Sequence, residues 1–383
     1  MTRRLRACMA SLAVAAGLGA FASAAEAVPA QFWGVVPQAT PTAEQLQRLK
    51  LGGVDTVRTP IGWPSVQPAS GGSLDWSATD AIVKADSIAG LEVLPFLSGA
   101  PSWAVPVDRR WGSPTNLPVR TGLQRSGWSN FVKQAVLRYG PNGSFWAENP
   151  EVPKRPIRTW QIWNEENFKY FVAHPNPAEY GKLVKLSYSA IKSADPGAQI
   201  ILGGMFARPI EATRNLKPPQ AYFATDFLDQ MYTTTPGIKS KFNGIALHPY
   251  SGSYKSLTPD IEEIRAILKQ NHDASKGLWI TELGWSSGPP ASDGSNSFAK
   301  GPQGQATQLK GAFGLLSANQ AKWKIKRVFW FSVDDQAGSC NFCDGSGLFG
   351  KGFVAKPSWK AYVKFVGGGC VRSVGWPPMQ KRP

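Results

Sequence analysis

From residue 28 onward the chain alternates, eight times over, between a short apolar run of strand length and a longer stretch with helical periodicity. The strand-like runs are residues 31–36, 54–58, 91–97, 159–163, 199–203, 244–247, 278–281 and 327–332. The helical patterns fall at 42–50, 77–89, 127–139, 177–194, 222–232, 260–270 and 303–319, with a last at 356–366. Strands separated by helices pair in parallel, because a parallel connection has to cross the face of the sheet. Eight such units predict an α/β fold, a single (β/α)8 TIM barrel. No linker composition divides residues 28–383, so they read as one domain. Long connections rich in Gly, Pro, Ser and Asn at 101–124, 206–220, 285–302 and 333–354 all follow strands. They are expected on the C-terminal face, where barrels of this kind gather their chemistry.

The first 27 residues stand apart. Arg3, Arg4 and Arg6 precede an apolar stretch from Met9 to Phe21, and Ala25-Glu26-Ala27 offers an A-x-A cleavage signal. This order reads as a secretory signal peptide over 1–27, which implies a secreted, extracellular protein. No other apolar stretch approaches the ~20 residues a membrane span needs. The formal net charge of +16 would suit an acidic polysaccharide or an anionic envelope. The basic residues are dispersed, with no zinc-finger spacing and no aromatic RNA-binding motif, so nucleic acid is not an expected partner. Nothing in the sequence calls for a metal or other cofactor, and a monomer is expected.

Two glutamates carry the chemistry. Arg158-Thr159-Trp160-Gln161-Ile162-Trp163-Asn164-Glu165 ends on one, and Gly277-Leu278-Trp279-Ile280-Thr281-Glu282 ends on the other. Each lies where an apolar run gives way to a loop, at the ends of the fourth and seventh strands. Two carboxylates across one cleft are the minimum needed to split a glycosidic bond, one as acid and one as nucleophile or base. The sequence also contains 15 Trp, a residue whose broad ring stacks on the C–H face of a sugar.

With Asn164-Glu165 and Thr281-Glu282 at these positions, the chain resembles clan A of the glycoside hydrolases, retaining enzymes on (β/α)8 barrels. Arg58-x4-Trp63-x3-Gln67-Pro68, Trp76-x3-Asp80, Pro101-Ser102-Trp103 and His248-Pro249-Tyr250 extend the resemblance over nearly all of the chain after residue 28. Family 39 is the closest in look, with families 5 and 42 as near alternatives. The resemblance implies Glu165 as acid/base, Glu282 as nucleophile, and a β-linked carbohydrate as substrate. It implies further that Arg58 keeps Glu282 ionised, that Asn164 holds the 2-hydroxyl, and that His248 and Tyr250 orient the nucleophile or touch sugar. Trp330 would floor the reacting subsite, and Trp63, Trp103 and Trp285 would stack on substrate. One departure is plain: the common Trp-Asn-Glu-Pro-Asn reads Trp163-Asn164-Glu165-Glu166-Asn167. The extra carboxylate, Glu166, would either help hold the acid's proton by repulsion or face solvent, and solvent is the favoured reading. A non-catalytic saccharide-binding barrel and a transglycosylase share most of these features and remain alternatives.

After the leader, Cys340, Cys343 and Cys370 remain. Cys340 and Cys343 share the loop after the eighth strand, whereas Cys370 follows a helix running to the opposite face. A disulfide needs Cα atoms within ~7 Å, so Cys340–Cys343 is the expected pair. Trp63, Trp103, Trp111 and Trp285, spread over long loops, suggest an open groove that cuts inside a polymer.

Overall fold

The computed structural model describes residues 28–212, 216–290, 297–338 and 343–367. The proposed leader, Cys340 and Cys370 lie outside these residues. Eight parallel strands form a closed barrel in sequence order: β1 (Trp33–Val36), β2 (Thr56–Gly62), β3 (Glu92–Ser98), β4 (Thr159–Ile162), β5 (Gln199–Phe206), β6 (Gly244–His248), β7 (Gly277–Leu283) and β8 (Ile325–Phe331). Closure is made where β8 pairs with β1, with Val36 opposite Phe331. Every strand-like run of the sequence is one of these strands. A short antiparallel pair, β9 (Phe349–Gly350) and β10 (Val354–Ala355), follows the barrel.

The helices start where local chemistry supplies free backbone amides with acceptors. Thr42 and Thr121 each form a reciprocal capping box, with Gln45 and Gln124 respectively. Asn176 caps the helix Pro177–Ala194, whose first residue is a proline that needs no amide partner. Two helices begin a few residues earlier than their periodicity predicts, at Gly122, where Thr121 caps the first turn, and at Leu257, whose N-cap Ser256 makes no side-chain cap bond.

The interior and the outer layer form separate cores. Val36, Leu94, Ile201, Ala246, Trp279 and Phe329 fill the barrel, one residue from each of six strands. The much larger outer core lies between strands and helices. Strand residues alternate between the two, so parity along a strand decides which core a side chain joins. β5 breaks its register with β6 between Ile201 and Gly204, around the tandem Gly203-Gly204. Both glycines are required. A Cβ on Gly203 would lie 1.8 Å from Glu166 Oε2, and one on Gly204 would lie 1.9 Å from His248 Nε2.

Parity overturns part of the tryptophan reading. Phe329 points inward, so Trp330 points outward: its indole donates to the Ser346 carbonyl at 3.1 Å and packs by Trp285 and Phe313. It does not floor a sugar subsite. Trp63 is sealed against Trp128 and Phe131, and Trp285 is buried with its indole donating to Ser251. Neither offers a stacking face. Only Trp103 among the four named tryptophans stays partly exposed, edge-on to Trp63. Large strand-end rings found a dry place between barrel and helices, where burial of their area stabilises most.

Candidate active site

Above the apolar barrel floor lies a layer of polar side chains at the C-terminal strand ends. Arg58 of β2 is its hub and is completely buried. Its Nη1 reaches Glu282 Oε1 at 2.6 Å, Nη2 donates to Asn164 Oδ1 at 2.6 Å, and Nε donates to Gln161 Oε1 at 2.8 Å. The guanidinium plane stacks on Phe96 of β3, 4.1 Å from the ring centroid. With all three nitrogens bonded and one face on an aromatic ring, the cation is fixed in place, as a planar fork of donors allows. Gln161 was not singled out from the sequence. It lies two residues from Trp163 on β4, and its Nε2 donates onward to Thr281 at 3.3 Å.

Glu282 is held from both sides. Its Oε2 accepts the Tyr250 hydroxyl at 2.7 Å while its Oε1 accepts Arg58. Glu165 meets His248: Nδ1 lies 2.8 Å from Glu165 Oε1, and Nε2 lies 3.0 Å from Thr281 Oγ1. The nearest ligand atoms of Glu165, His248 and Glu282 all lie within 4.8 Å of one another. The two carboxyl groups therefore face each other across a gap that holds one reacting centre.

The turn that presents Glu165 is strained. Trp163 and Glu165 both have left-handed backbone angles, with φ of 73° and 42°, which side-chain-bearing residues rarely adopt. Neighbouring elements hold the turn in place. Trp163 N donates to Leu97 of β3, Glu165 N donates to Gly204 of β5, and the Asn167 amide clasps Phe206 and Tyr222. Asn167, the last residue of the departed motif, is thus the staple of this loop.

The electrostatics separate the two acids. Burial pushes both carboxyls up, and Glu165 is raised further by the charge of Glu282. The Arg58 charge offsets both, but Glu282 is lowered further by hydrogen bonds from Tyr250 and Arg58, which Glu165 lacks. The proton shared by the pair therefore rests on Glu165, and Glu282 is the anion. Burial, with Arg58 nearby, pushes His248 well below its usual range, so its imidazole is neutral. A neutral His248 donating Nε2–H to Thr281 leaves Nδ1 to accept from the Glu165 hydroxyl. Glu165, His248 and Glu282 also form a conceivable metal-ligand set. Both Glu282 oxygens are already taken by Arg58 and Tyr250, and the fixed guanidinium repels a second cation, so the set suits proton transfer better.

Glu166 corrects the sequence reading. It does not face solvent but is fully buried on the far side of the strands, against Gly203 and Tyr180. Neither of its oxygens has a hydrogen-bond partner, and the nearby Tyr180 hydroxyl is committed to Ile162 and Gly203. Burial pushes its carboxyl up to about 8, so it is mostly neutral at pH 7 and adds little repulsion to Glu165. The position of Trp330 is taken in the site by its neighbour Phe331, which packs on the barrel interior with its ring 6.2 Å from Tyr250.

Residues 165–352 match the family model of the glycosyl hydrolase catalytic core. That match spans a little under half of the chain. The match begins at Glu165 and takes in Glu282. Among solved structures, the chain is similar to a family 39 glycoside hydrolase from Bacteroides cellulosilyticus WH2, with 20% identity and a TM-score of 0.64. That likeness covers 88% of this chain and 63% of the Bacteroides chain, so this chain spans less than two thirds of its length. It is also similar to a monomeric beta-xylosidase from Caulobacter crescentus CB15, with 18% identity and a TM-score of 0.60 over 88% of this chain and 68% of that one. An intracellular xylanase from Thermoanaerobacterium saccharolyticum matches with 17% identity and a TM-score of 0.55, over 86% of this chain and 94% of its own. At these identities the likenesses establish the barrel fold.

Proposed function

We propose that the protein is a retaining glycoside hydrolase that cleaves a β-linked saccharide by double displacement. One observation carries this reading. One carboxyl oxygen of Glu165 and one of Glu282 lie within 4.8 Å, which suits direct attack by one carboxylate, whereas inverting enzymes hold their carboxyls ~6.5–9.5 Å apart to admit a water. In the first step Glu282 attacks the anomeric carbon while Glu165 gives its proton to the departing oxygen. In the second, Glu165 takes a proton from water, and that water displaces Glu282 from the sugar. Arg58 and Tyr250 keep Glu282 ionised before attack, and neutral His248 orients Glu165. Asn164, anchored by Arg58, holds the 2-hydroxyl of the reacting sugar.

The xylosidase and xylanase among the similar structures make xylan and β-xylosides the first substrates to test. The arginine-led apolar leader supports export, and no helix among the described residues is long and apolar enough to cross a membrane. Cutting within a polymer is supported by the long loops on the site's face, with Trp103, Trp111 and Tyr170 among the aromatic groups left exposed or partly exposed there. The test is turnover of the protein on β-linked aryl glycosides and polysaccharides, with the anomer of the first product followed by NMR. Retained configuration is the expected result. An inverted product overturns the mechanism, binding without turnover supports a saccharide-binding barrel, and transfer to sugar in preference to water identifies a transglycosylase.

A further inference from the structure

A line of rings leads away from the candidate nucleophile to the rim. Tyr250, bonded to Glu282, lies 5.7 Å from Phe206, which lies 5.6 Å from Phe168. Phe168 lies 4.9 Å from Tyr170, and Tyr170 lies 5.9 Å from Trp111. Tyr170 is 51% exposed and Trp111 is partly exposed, so the line ends at an aromatic surface on the same face as the two glutamates. Phe206 and Phe168 are buried, so these ring-to-ring contacts run through packed core and reach solvent only at Tyr170 and Trp111.

A cation sits inside that surface. Lys169 Nζ lies 3.2 Å from the Trp111 ring centroid and 5.2 Å from that of Tyr170. Lys169 is only 5% exposed, yet among the described residues no carboxylate pairs with it. Arg110 lies over the same Trp111 ring, 4.5 Å from its centroid, and adds a second positive charge. The acid nearest in sequence, Asp108, is committed to the backbone amides of Arg110 and Trp111. Burial and Arg110 both pull the Lys169 ammonium down, the sign of a charge without a partner. Its backbone is pinned between loops, since Lys169 N donates to Gln220 and the Ser113 hydroxyl donates to the Lys169 carbonyl.

We infer that Trp111, Lys169, Tyr170 and Arg110 form a distal subsite for an anionic sugar unit, a uronate of the polysaccharide being cut. The exposed Tyr170 ring would stack on the sugar face, and Lys169 with Arg110, both held against Trp111, would take its carboxylate. A neutral sugar gives the cations nothing, whereas a carboxylate pairs with an ammonium held in place over the Trp111 ring. This deepens the reading of the protein as a glycoside hydrolase and rests on it for the identity of the chain bound.

The experiment is calorimetric titration of Glu282→Gln protein, which binds without turning over, with a β-linked oligoglucuronate and with the same oligomer after carboxyl reduction. At low salt the acidic oligomer should bind about tenfold more tightly, and added salt should narrow the gap. Lys169→Met, which keeps the stem against Trp111, should close most of the gap, while Tyr170→Ala should weaken both ligands. Arg110→Gln, at an exposed side chain, gives the same reading in part if Lys169→Met fails to fold. Equal binding of the two oligomers, or a gap that survives Lys169→Met, overturns the subsite. The outcome is independent of turnover: acid-selective binding by a protein that hydrolyses nothing supports the subsite and sinks the hydrolase reading, and hydrolysis without acid preference does the opposite.

Discussion

Arg58 and Glu282 meet at 2.6 Å in the barrel mouth, with the guanidinium wholly sealed from water. The pair is more than a structural ion pair, because the same guanidinium also fixes Asn164 and Gln161. One buried cation thereby ties the two strand ends that carry Glu165 and Glu282 into a single arrangement.

Replacing Arg58 by Met should reduce kcat/KM by at least a hundredfold. Loss of the cation removes the main offset to the burial of Glu282, so the pKa of Glu282 rises. The nucleophile must be ionised, and the acid limb of the pH–rate profile should therefore move to higher pH. Breaking a buried pair in this way also destabilises by roughly 3–5 kcal/mol, visible as a lower Tm. An unmoved acid limb in a folded variant would show that Glu282 does not depend on Arg58.

Tyr250→Phe should act in the same direction and more weakly. It removes one hydrogen bond that holds Glu282 down, so the acid limb again shifts upward, with kcat reduced by about tenfold and little change in Tm. Comparison of the two pH profiles separates a charge effect from a hydrogen-bond effect.

The two glutamates should fail differently. Glu282→Ala should abolish turnover of every substrate. Glu165→Ala should cost ~10²–10⁴-fold on sugars with poor leaving groups and little on dinitrophenyl glycosides, whose leaving group needs no proton. If Glu166→Ala shows the second pattern instead, the acid/base has been misassigned.

Glu166 should make stability depend on pH. Its folded-state pKa is raised to about 8, above the ordinary carboxyl value of 4.5, so the folded chain holds a proton that the unfolded chain releases between those values. Its contribution is fully present below pH 4.5, and stability falls by up to ~1.4 kcal/mol per pH unit as pH rises toward 8. Denaturant unfolding from pH 5 to 9 should show this slope in the wild type and a flatter one in Glu166→Gln. Equal slopes would contradict the burial of the carboxyl.

Gly203→Ala should destabilise by about 1–3 kcal/mol, because its Cβ would meet the Glu166 carboxyl at 1.8 Å. Combining it with Glu166→Ala removes the clash and should recover part of the loss in a double-mutant cycle. Additive losses would place Glu166 away from Gly203.

Cys343 is disulfide-bonded. Its sequence neighbour Cys340 is the expected partner, and peptide mapping of the non-reduced protein should recover that link. A Cys343–Cys370 peptide would instead tie the loop after β8 to the C-terminal segment.

The sequence alone determined the barrel and the order of its eight strands, though β2 and β5 run three or four residues past the expected ends. Each strand-like run was bounded by turn residues and followed by a helical repeat, and this local periodicity survives folding because eight parallel units have one way to close. It also placed Glu165, Glu282, Asn164, His248 and Tyr250 at strand ends on one face, whereas Arg58 lies inside β2 and reaches them with its long side chain. Only the tertiary structure decided which side of the sheet each neighbour takes. Trp330 and Phe331 differ by one position, and the pleat sends one to the helices and the other to the site. Glu165 and Glu166 differ by one position as well, and a left-handed turn sends one into the mouth and the other into a dry space carved by Gly203. A side chain's face depends on register, bulges and room left by distant glycines, and these are fixed by contacts across the barrel that local sequence does not encode.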